Sequence, residues 1–288
     1  MSLMSFVVPL ITGIATGMVL YLSAAGMSLM ISGMGVINFA QGAFYVMGMA
    51  FCYSLGTATH SFAVGIIAAV VVTFVFGGLL EIGLRPVSGK AMTLSLLTTM
   101  GIGYVIDAIF GVVFGVQVYS LKAPNALRGI LKIGKIAIPK YYLFMIGASM
   151  LIAIAFWVMF KKTKLGMLFR AIISDRNMVE ALGINVKLLY FIMFMIGTAL
   201  SGFAGAINLP SSGFVASGSS AAFAAVVPIL VIGGLGNIQG AFPAAILMGV
   251  IQALAAVLVP SYYNLVPTIC MVLCIIFKPY GLFTKGGK

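Results

Sequence analysis

The sequence has little of what a water-facing surface needs. Of 288 residues, only 4 are Asp or Glu, 1 is His, 1 is Trp and 3 are Cys, and charged residues of all kinds make up 7%. A soluble domain carries about 25% charged and about 45–50% apolar residues. Here 62% are hydrophobic and the mean hydropathy is +1.23. So few charges cannot cover a surface in water, and lipid must cover most of it. The same scarcity removes most catalytic chemistry. The four acids are Glu81, Asp107, Asp175 and Glu180, no two of them share a helix face inside an apolar run, and His60 stands alone in a short loop. Paired carboxylates and Ser–His–Asp triads therefore have no parts, and no P-loop is present. Cys52, Cys270 and Cys274 lie in apolar runs without a His or further Cys to complete a metal site, and read as small core residues. No catalytic residue, metal or cofactor is expected in this chain. The net charge of +12 does not point to nucleic acid, because the basic residues sit in loops and form no aromatic-interleaved patch.

What the sequence does have is a series of apolar runs, at about 6–31, 36–56, 62–84, 92–119, 141–160, 188–209, 221–233, 240–259 and 262–277. A span takes roughly 20 residues. The seventh run has 13, about 20 Å of helix against a hydrocarbon core of about 30 Å, and reads as a half-helix or re-entrant segment. The expectation is an all-α polytopic integral membrane protein of eight or nine transmembrane helices in one domain, 1–288. The first run is too long for a signal h-region and lacks a basic n-region before it, so it reads as a retained first span.

Parity places the loop 85–90 (Arg85, Lys90), the segment 161–187 with six basic residues, and the tail (Lys278, Lys285, Lys288) on one side. The loop 120–140, with Lys122, Arg128, Lys132, Lys135 and Lys140, falls on the other. Eleven basic residues against five make the first side cytoplasmic, with the C-terminus inside and, for nine crossings, the N-terminus outside. Alternation from Ile130 to Ile138 in the external loop fits a small β-hairpin or a surface patch, and a plain surface loop equally.

Three stretches carry pattern. Residues 161–185, KKTKLGMLFRAIISDRNMVEALGIN, are charged, yet Leu168, Ile172, Met178, Ala181 and Leu182 recur at helical spacing. Gly166 and Gly183 bracket them, and Gly183 is a C-terminal stop. A short amphipathic helix, or a pair, is expected there. Residues 33–48, GMGVINFAQGAFYVMG, place Gly33, Gly35, Asn38, Gln41 and Gly42 inside an apolar run. Either a broken helix lining a pathway or buried contacts between helices satisfies those polar groups. Residues 233–249, GGLGNIQGAFPAAILMG, repeat the pattern: Gln-Gly-Ala-Phe occurs at 41–44 and again at 239–242, each after a Gly-x-Gly. The recurrence suggests a duplicated unit. Asp107 lies in the fourth run, as a functional acid or, the reading we favour, in a structural hydrogen bond. Glu81 and Arg85 have the spacing of an i, i+4 pair.

These stretches, in this order, resemble the permease subunits of branched-chain amino acid ABC importers, the high-affinity leucine, isoleucine and valine uptake family, and in particular the first permease of the pair. Gly166, Arg170, Ala171, Asp175, Ala181, Gly183, Ile184 and Asn185 match the cytoplasmic coupling loop, 33–48 the signature near the second span, and FKPYGLF at 277–283 the closing helix. The resemblance implies half of a translocation pathway, driven by separate ABC ATPase subunits, paired with a second homologous permease and fed by an extracytoplasmic substrate-binding protein, in a bacterial inner membrane. It implies that Gly166, Arg170, Ala171, Asp175, Glu180, Ala181 and Gly183 couple to the ATPase. Asn38, Gln41, Gly42, Asp107, Asn237, Gln239 and Gly240 are the pathway candidates. The rivals are an ion-coupled transporter using Asp107, a relative serving urea or amides, and a structural membrane subunit with no pathway.

Overall fold

The structure, a computed structural model, describes residues 4–85, 92–133, 136–263 and 265–284. Lys90, Lys135, Lys285 and Lys288, used in the charge balance, lie outside the described residues. The helices are α1 (Met4–Met34), α2 (Gln41–Ala58), α3 (Phe62–Leu84), α4 (Met92–Phe114), α5 (Lys140–Lys162), α6 (Lys164–Ser174), α7 (Arg176–Ala181), α8 (Val186–Ser212), α9 (Ser219–Gly233), α10 (Ile238–Leu258) and α11 (Val266–Phe277). Of the alternatives for the loop 120–140, the hairpin is the one formed: β1 (Ile130–Ile133) and β2 (Ile136–Pro139) pair antiparallel, with Ile130 opposite Pro139.

Among the described residues six helices are long and apolar enough to cross a membrane: α1, α3, α4, α5, α8 and α10. The all-α polytopic membrane protein expected is what is found: beside these six stand α2, of 18 residues, and two shorter apolar helices, α9 and α11, as the interrupted segments. The run 36–56 becomes helical only at Gln41, and the run 92–119 stops being helical at Phe114. Helix α9, with 15 residues, is about 22 Å long and α11, with 12, about 18 Å.

The core is built on close backbone approach. With lipid outside, burying apolar surface between helices gains little, and packing depends on small residues at the contacts. Helix α8 crosses α1 where Gly26 meets Gly197, and α2 where Gly48 meets Gly202; at either crossing an added Cβ would collide with the facing backbone. Helix α10 runs along α1 through Gly13, Gly17 and Gly249 in the same manner. Helix α2, the least apolar of the longer helices, is buried without interruption from Gln41 to Ala50. It is the centre of the bundle.

The helix ends sort into two groups. At the basic end lie the C-terminus of α1, Arg85, the α6–α7 segment and the start of α10. At the hairpin end, Tyr119 pairs with Phe214 as an isolated β-bridge, their rings stacked 5.4 Å apart. The two interrupted segments turn at the same end, since Gly236 sits against Ser32. Both breaks use a glycine with positive φ, +66° at Gly35 and +78° at Gly236, a conformation other residues rarely take. In each unit one helix arrives at the basic end and the next leaves it, so the repeat is parallel in orientation.

Candidate functional site

Between α1 and α2 the backbone leaves the helix and its polar groups find other partners. Asn38 Oδ1 accepts from the Ala40 amide at 3.1 Å, its backbone oxygen accepts from the Gln41 amide at 3.1 Å, and the Phe39 amide donates to Thr99 Oγ1 of α4 at 3.2 Å. Gln41 Nε2 donates to the Ser23 carbonyl of α1 at 3.2 Å and the Gly197 carbonyl of α8 at 3.1 Å, while Oε1 accepts from Asn38 at 3.4 Å. Ser201 Oγ donates to the Gln41 carbonyl at 3.0 Å and lies 2.9 Å from Ser23 Oγ. Three helices are tied at one polar knot. Asn38 and Gln41 are both 0% exposed, so in this subunit they meet protein on every side. Of the two roles open to them from sequence, the geometry carries the contact between helices.

The knot is deep. Ser23 and Gly197 each lie eleven residues from the helix end at the basic side, about 16 Å along the axis. The chain therefore climbs back into the bundle through 35–40 before α2 begins. Helix α9 starts at the same depth, because Gly42 packs on the Ser219 carbonyl and Phe223, and Phe39 stacks on Phe223 at 4.3 Å. Helix α2 runs from this point toward the hairpin end and α9 toward the basic end. The short seventh run is thus a half-helix that starts inside the bundle.

Asp107 of α4 comes to this same point. Ser219 Oγ donates to its Oδ2, whereas Oδ1 is buried and has no hydrogen-bond partner. No Lys or Arg pairs with it among the described residues; the ion pairs there are Glu81 with Arg85 and Arg176 with Glu180, both at 3.0 Å. A cavity of about 140 Å3 opens beside Ser219, lined by Phe39, Met100, Gly103, Tyr104, Ser220 and Phe223. Around it the exposed positions of α9 and its lead are Ser217, Ser220, Ala221 and Ala224. The exposed faces of α3 and α11 instead carry Ile67, Phe74, Leu79, Ile269, Leu273 and Ile276, as lipid contact requires. Ser219, Ser220 and Tyr104 were not singled out from sequence, although the string SGSSAAFAA at 217–225 is too small and polar for a lipid-facing helix.

The second interrupted unit is placed differently. Asn237 Oδ1 accepts from the Gly240 amide at 3.0 Å and caps α10, while its Nδ2 donates to the Phe283 carbonyl at 3.2 Å. Gln239 is exposed and lines a groove of about 400 Å3 with Trp157, Lys161 and Phe242. Gly240 is buried against the Gly233 carbonyl. Asn237, Gln239 and Gly240 therefore stand at the basic end, apart from Asn38, Gln41, Gly42 and Asp107.

The charged segment 161–187 is a handle made of two capped helices. Thr163 Oγ1 accepts from the Gly166 amide at 3.1 Å, Asp175 Oδ1 from Met178 at 3.1 Å, and Asn185 Oδ1 from Leu188 at 3.1 Å, so α6, α7 and α8 each have a side-chain N-cap. Gly183, at φ +76°, closes α7, its amide bonded to the Glu180 carbonyl at 3.0 Å and that of Ile184 to Val179 at 3.3 Å. Arg170 donates to the Phe160 carbonyl at the end of α5. Gly166 fits where a Cβ would meet the carbonyls of Met159 and Phe160. Glu180, hydrogen-bonded to Arg176, raises the guanidinium pKa above its ordinary value. Ala171 is half-buried and Ala181 exposed. The phase expected from sequence is corrected. The inward stripe is Gly166, Phe169, Ile172 and Val179, whereas Met178 and Leu182 point outward at 60% and 69% exposure, joined by Met167. Exposed apolar side chains in a charged segment make this a candidate interaction surface.

A polytopic helical bundle, with half-helices that start at mid-depth and a capped handle at one end, is the architecture of a membrane transport subunit. Comparison with known proteins names the family. The chain belongs to the branched-chain amino acid transport system / permease component family, whose profile matches residues 10–275. It is 26% identical to the high-affinity branched-chain amino acid transport system permease protein BraD of Pseudomonas aeruginosa, covering 96% of this chain and 95% of that one. It is 25% identical to the permease protein LivH of the same kind of system in Escherichia coli, over 97% and 96% of the two chains. A probable branched-chain amino acid transport permease protein LivH of Methanocaldococcus jannaschii is 21% identical over 91% and 88%. Among solved structures, PsaBC from Streptococcus pneumoniae in complex with Fab shares the fold, with a TM-score of 0.52 at 12% identity, over 93% of this chain and 91% of that one.

Proposed function

We propose that this permease is the membrane subunit of an ATP-driven ABC importer and forms half of a translocation pathway for branched-chain amino acids in a bacterial inner membrane. The observation that carries this reading is the handle. Its two helices are fixed by caps and a buried stripe, yet it turns Met167, Met178 and Leu182 outward among charged neighbours. A surface so built is a docking face, and separate ATPase subunits are its occupant. On this reading the basic end and the C-terminus are cytoplasmic, and ATP is hydrolysed outside this chain.

Helix α4 is weakly covered within this chain, and on this reading it faces the second permease subunit. The hairpin end, with Lys122, Arg128 and Lys140, receives an acidic face of the substrate-binding protein. Co-purification followed by an amino-acid-stimulated ATPase assay tests the reading. Met178→Asp with Leu182→Asp leaves the permease monodisperse and removes the ATPase from it. Retention of the ATPase by that double variant, or gradient-driven uptake by this chain with no ATPase attached, overturns the proposal.

A further inference from the structure

Helices α5 and α10 both pack on α1 and leave a trough of about 400 Å3 between them. Its floor is Tyr21 of α1, whose ring meets Phe242 of α10 edge-on at 5.1 Å. Its α5 wall is one exposed stripe at helical spacing, Met150, Ile154, Trp157 and Lys161. Over about 16 Å of helix that stripe passes from aliphatic side chains to a tryptophan and then to a cation at the basic end. The order is that of one bilayer leaflet, from hydrocarbon through the interface, where tryptophan settles, to the headgroups. At this end the trough runs into a second hollow of about 260 Å3, with which it shares Phe160, Ile238 and Gln239. Arg170 lines that hollow, and no acid lines either one. Between 161 and 174 the sequence has Lys161, Lys162, Lys164 and Arg170 and no Asp or Glu. Lys161 Nζ rests 4.8 Å over the Trp157 ring. Among the described residues neither Lys161 nor Arg170 has a carboxylate partner. Arg170 uses one donor on the Phe160 carbonyl, and a guanidinium has five.

We propose that trough and hollow together bind one anionic phospholipid from the leaflet at the basic end. An acyl chain lies against Tyr21, Ile154 and Phe242, and the headgroup phosphate meets Lys161 and Arg170 with Gln239 between them. Lipid covers any groove that faces a bilayer; what this one adds is selection by headgroup charge, as basic pockets between membrane helices do. A zwitterionic headgroup would bring its ammonium to a place with two cations and no acid. A water-soluble anion would leave the apolar trough unfilled.

Trp157 is the single tryptophan of the chain and lines the trough, so its fluorescence reports the occupant. Phosphatidylglycerol and phosphatidylethanolamine with the same brominated acyl chains are titrated into the full-length permease in micelles of a neutral detergent. Where other subunits accompany the permease, the signal lost in Trp157→Phe isolates the share of Trp157. Phosphatidylglycerol quenches at a mole fraction roughly 10- to 30-fold lower than phosphatidylethanolamine does, from two charge contacts. Lys161→Gln with Arg170→Gln removes that preference. Lys162→Gln with Lys164→Gln takes the same charge from outside both hollows and shifts phosphatidylglycerol by no more than about threefold, since it leaves only diffuse attraction weakened. Lys161→Gln alone changes one exposed side chain and falls between the two, which keeps the test open if the Arg170 variant is not recovered. Equal quenching by the two lipids, no quenching by either, or equal losses in the two double variants overturns the proposal. So does displacement of the brominated phosphatidylglycerol by glycerol phosphate, which carries the headgroup charge without a chain.

Discussion

Gln-Gly-Ala-Phe occurs twice in this chain and does two different jobs. In both copies the glycine is indispensable to packing, since a Cβ on Gly42 would meet the Ser219 carbonyl and one on Gly240 the Gly233 carbonyl. The glutamines diverge. Gln41 is fully buried and holds α1, α2 and α8 together, whereas Gln239 is exposed beside Trp157 at the basic end. The asparagines diverge by degree, with Asn38 turning the chain at mid-depth and Asn237 capping a helix near the surface. A repeated string thus reports a repeated backbone, because glycine answers to geometry that is local. A polar side chain answers to its neighbours, and those differ between the halves.

The comparison can be tested from its strongest element downward. Gly42→Val and Gly240→Val are both expected to be severe, each costing about 3 kcal/mol or more through overpacking against backbone that cannot retreat. The monodisperse fraction after extraction measures this, and a mild phenotype in either copy breaks the shared role. Gln41→Leu removes two interhelical donors, each worth about 0.6 to 1.7 kcal/mol in a bilayer, for a loss of about 2 kcal/mol in thermal unfolding. Gln239→Leu should stay within about 0.5 kcal/mol of the wild type. Equal losses at the two glutamines would erase the distinction. Asn237→Ala gives up one helix cap, about 1 kcal/mol, and loosens the tail, which limited proteolysis near Phe283 reports. Arg176→Ala removes an exposed i, i+4 pair worth about 0.3 kcal/mol after screening by water, at the edge of what a melting curve detects.

The apolar runs, the hairpin, the stop at Gly183 and the repeat were readable from residues alone, since each depends on local chemistry. What could not be read was which apolar residue faces lipid and which faces protein. In a bilayer both environments favour the same side chains, so hydropathy says nothing of facing. That is why α2, of modest hydropathy, proves to be the centre; in the handle, outside the bilayer, helical spacing alone did not give the phase, and Met178 and Leu182 point outward. The meeting of Gly42 and Asp107 with Ser219 joins the last to positions over a hundred residues before it, and no spacing rule reaches that far. A signal was nonetheless present in the small, hydroxyl-rich string 217–225.

The shared orientation of the two breaks has an arithmetical consequence. Six passes, α2, α3, α4, α5, α8 and α9, separate Gly35 from Gly236, and an even number returns the chain to the compartment it left. Each copy of the repeated unit therefore enters the bilayer in the same sense and answers to the same bias of basic residues. An insertion of one further pass anywhere between them would set the copies at odds, one obeying that bias and the other opposing it. Loops between the breaks are free to lengthen, but the count of passes is not free to change by one.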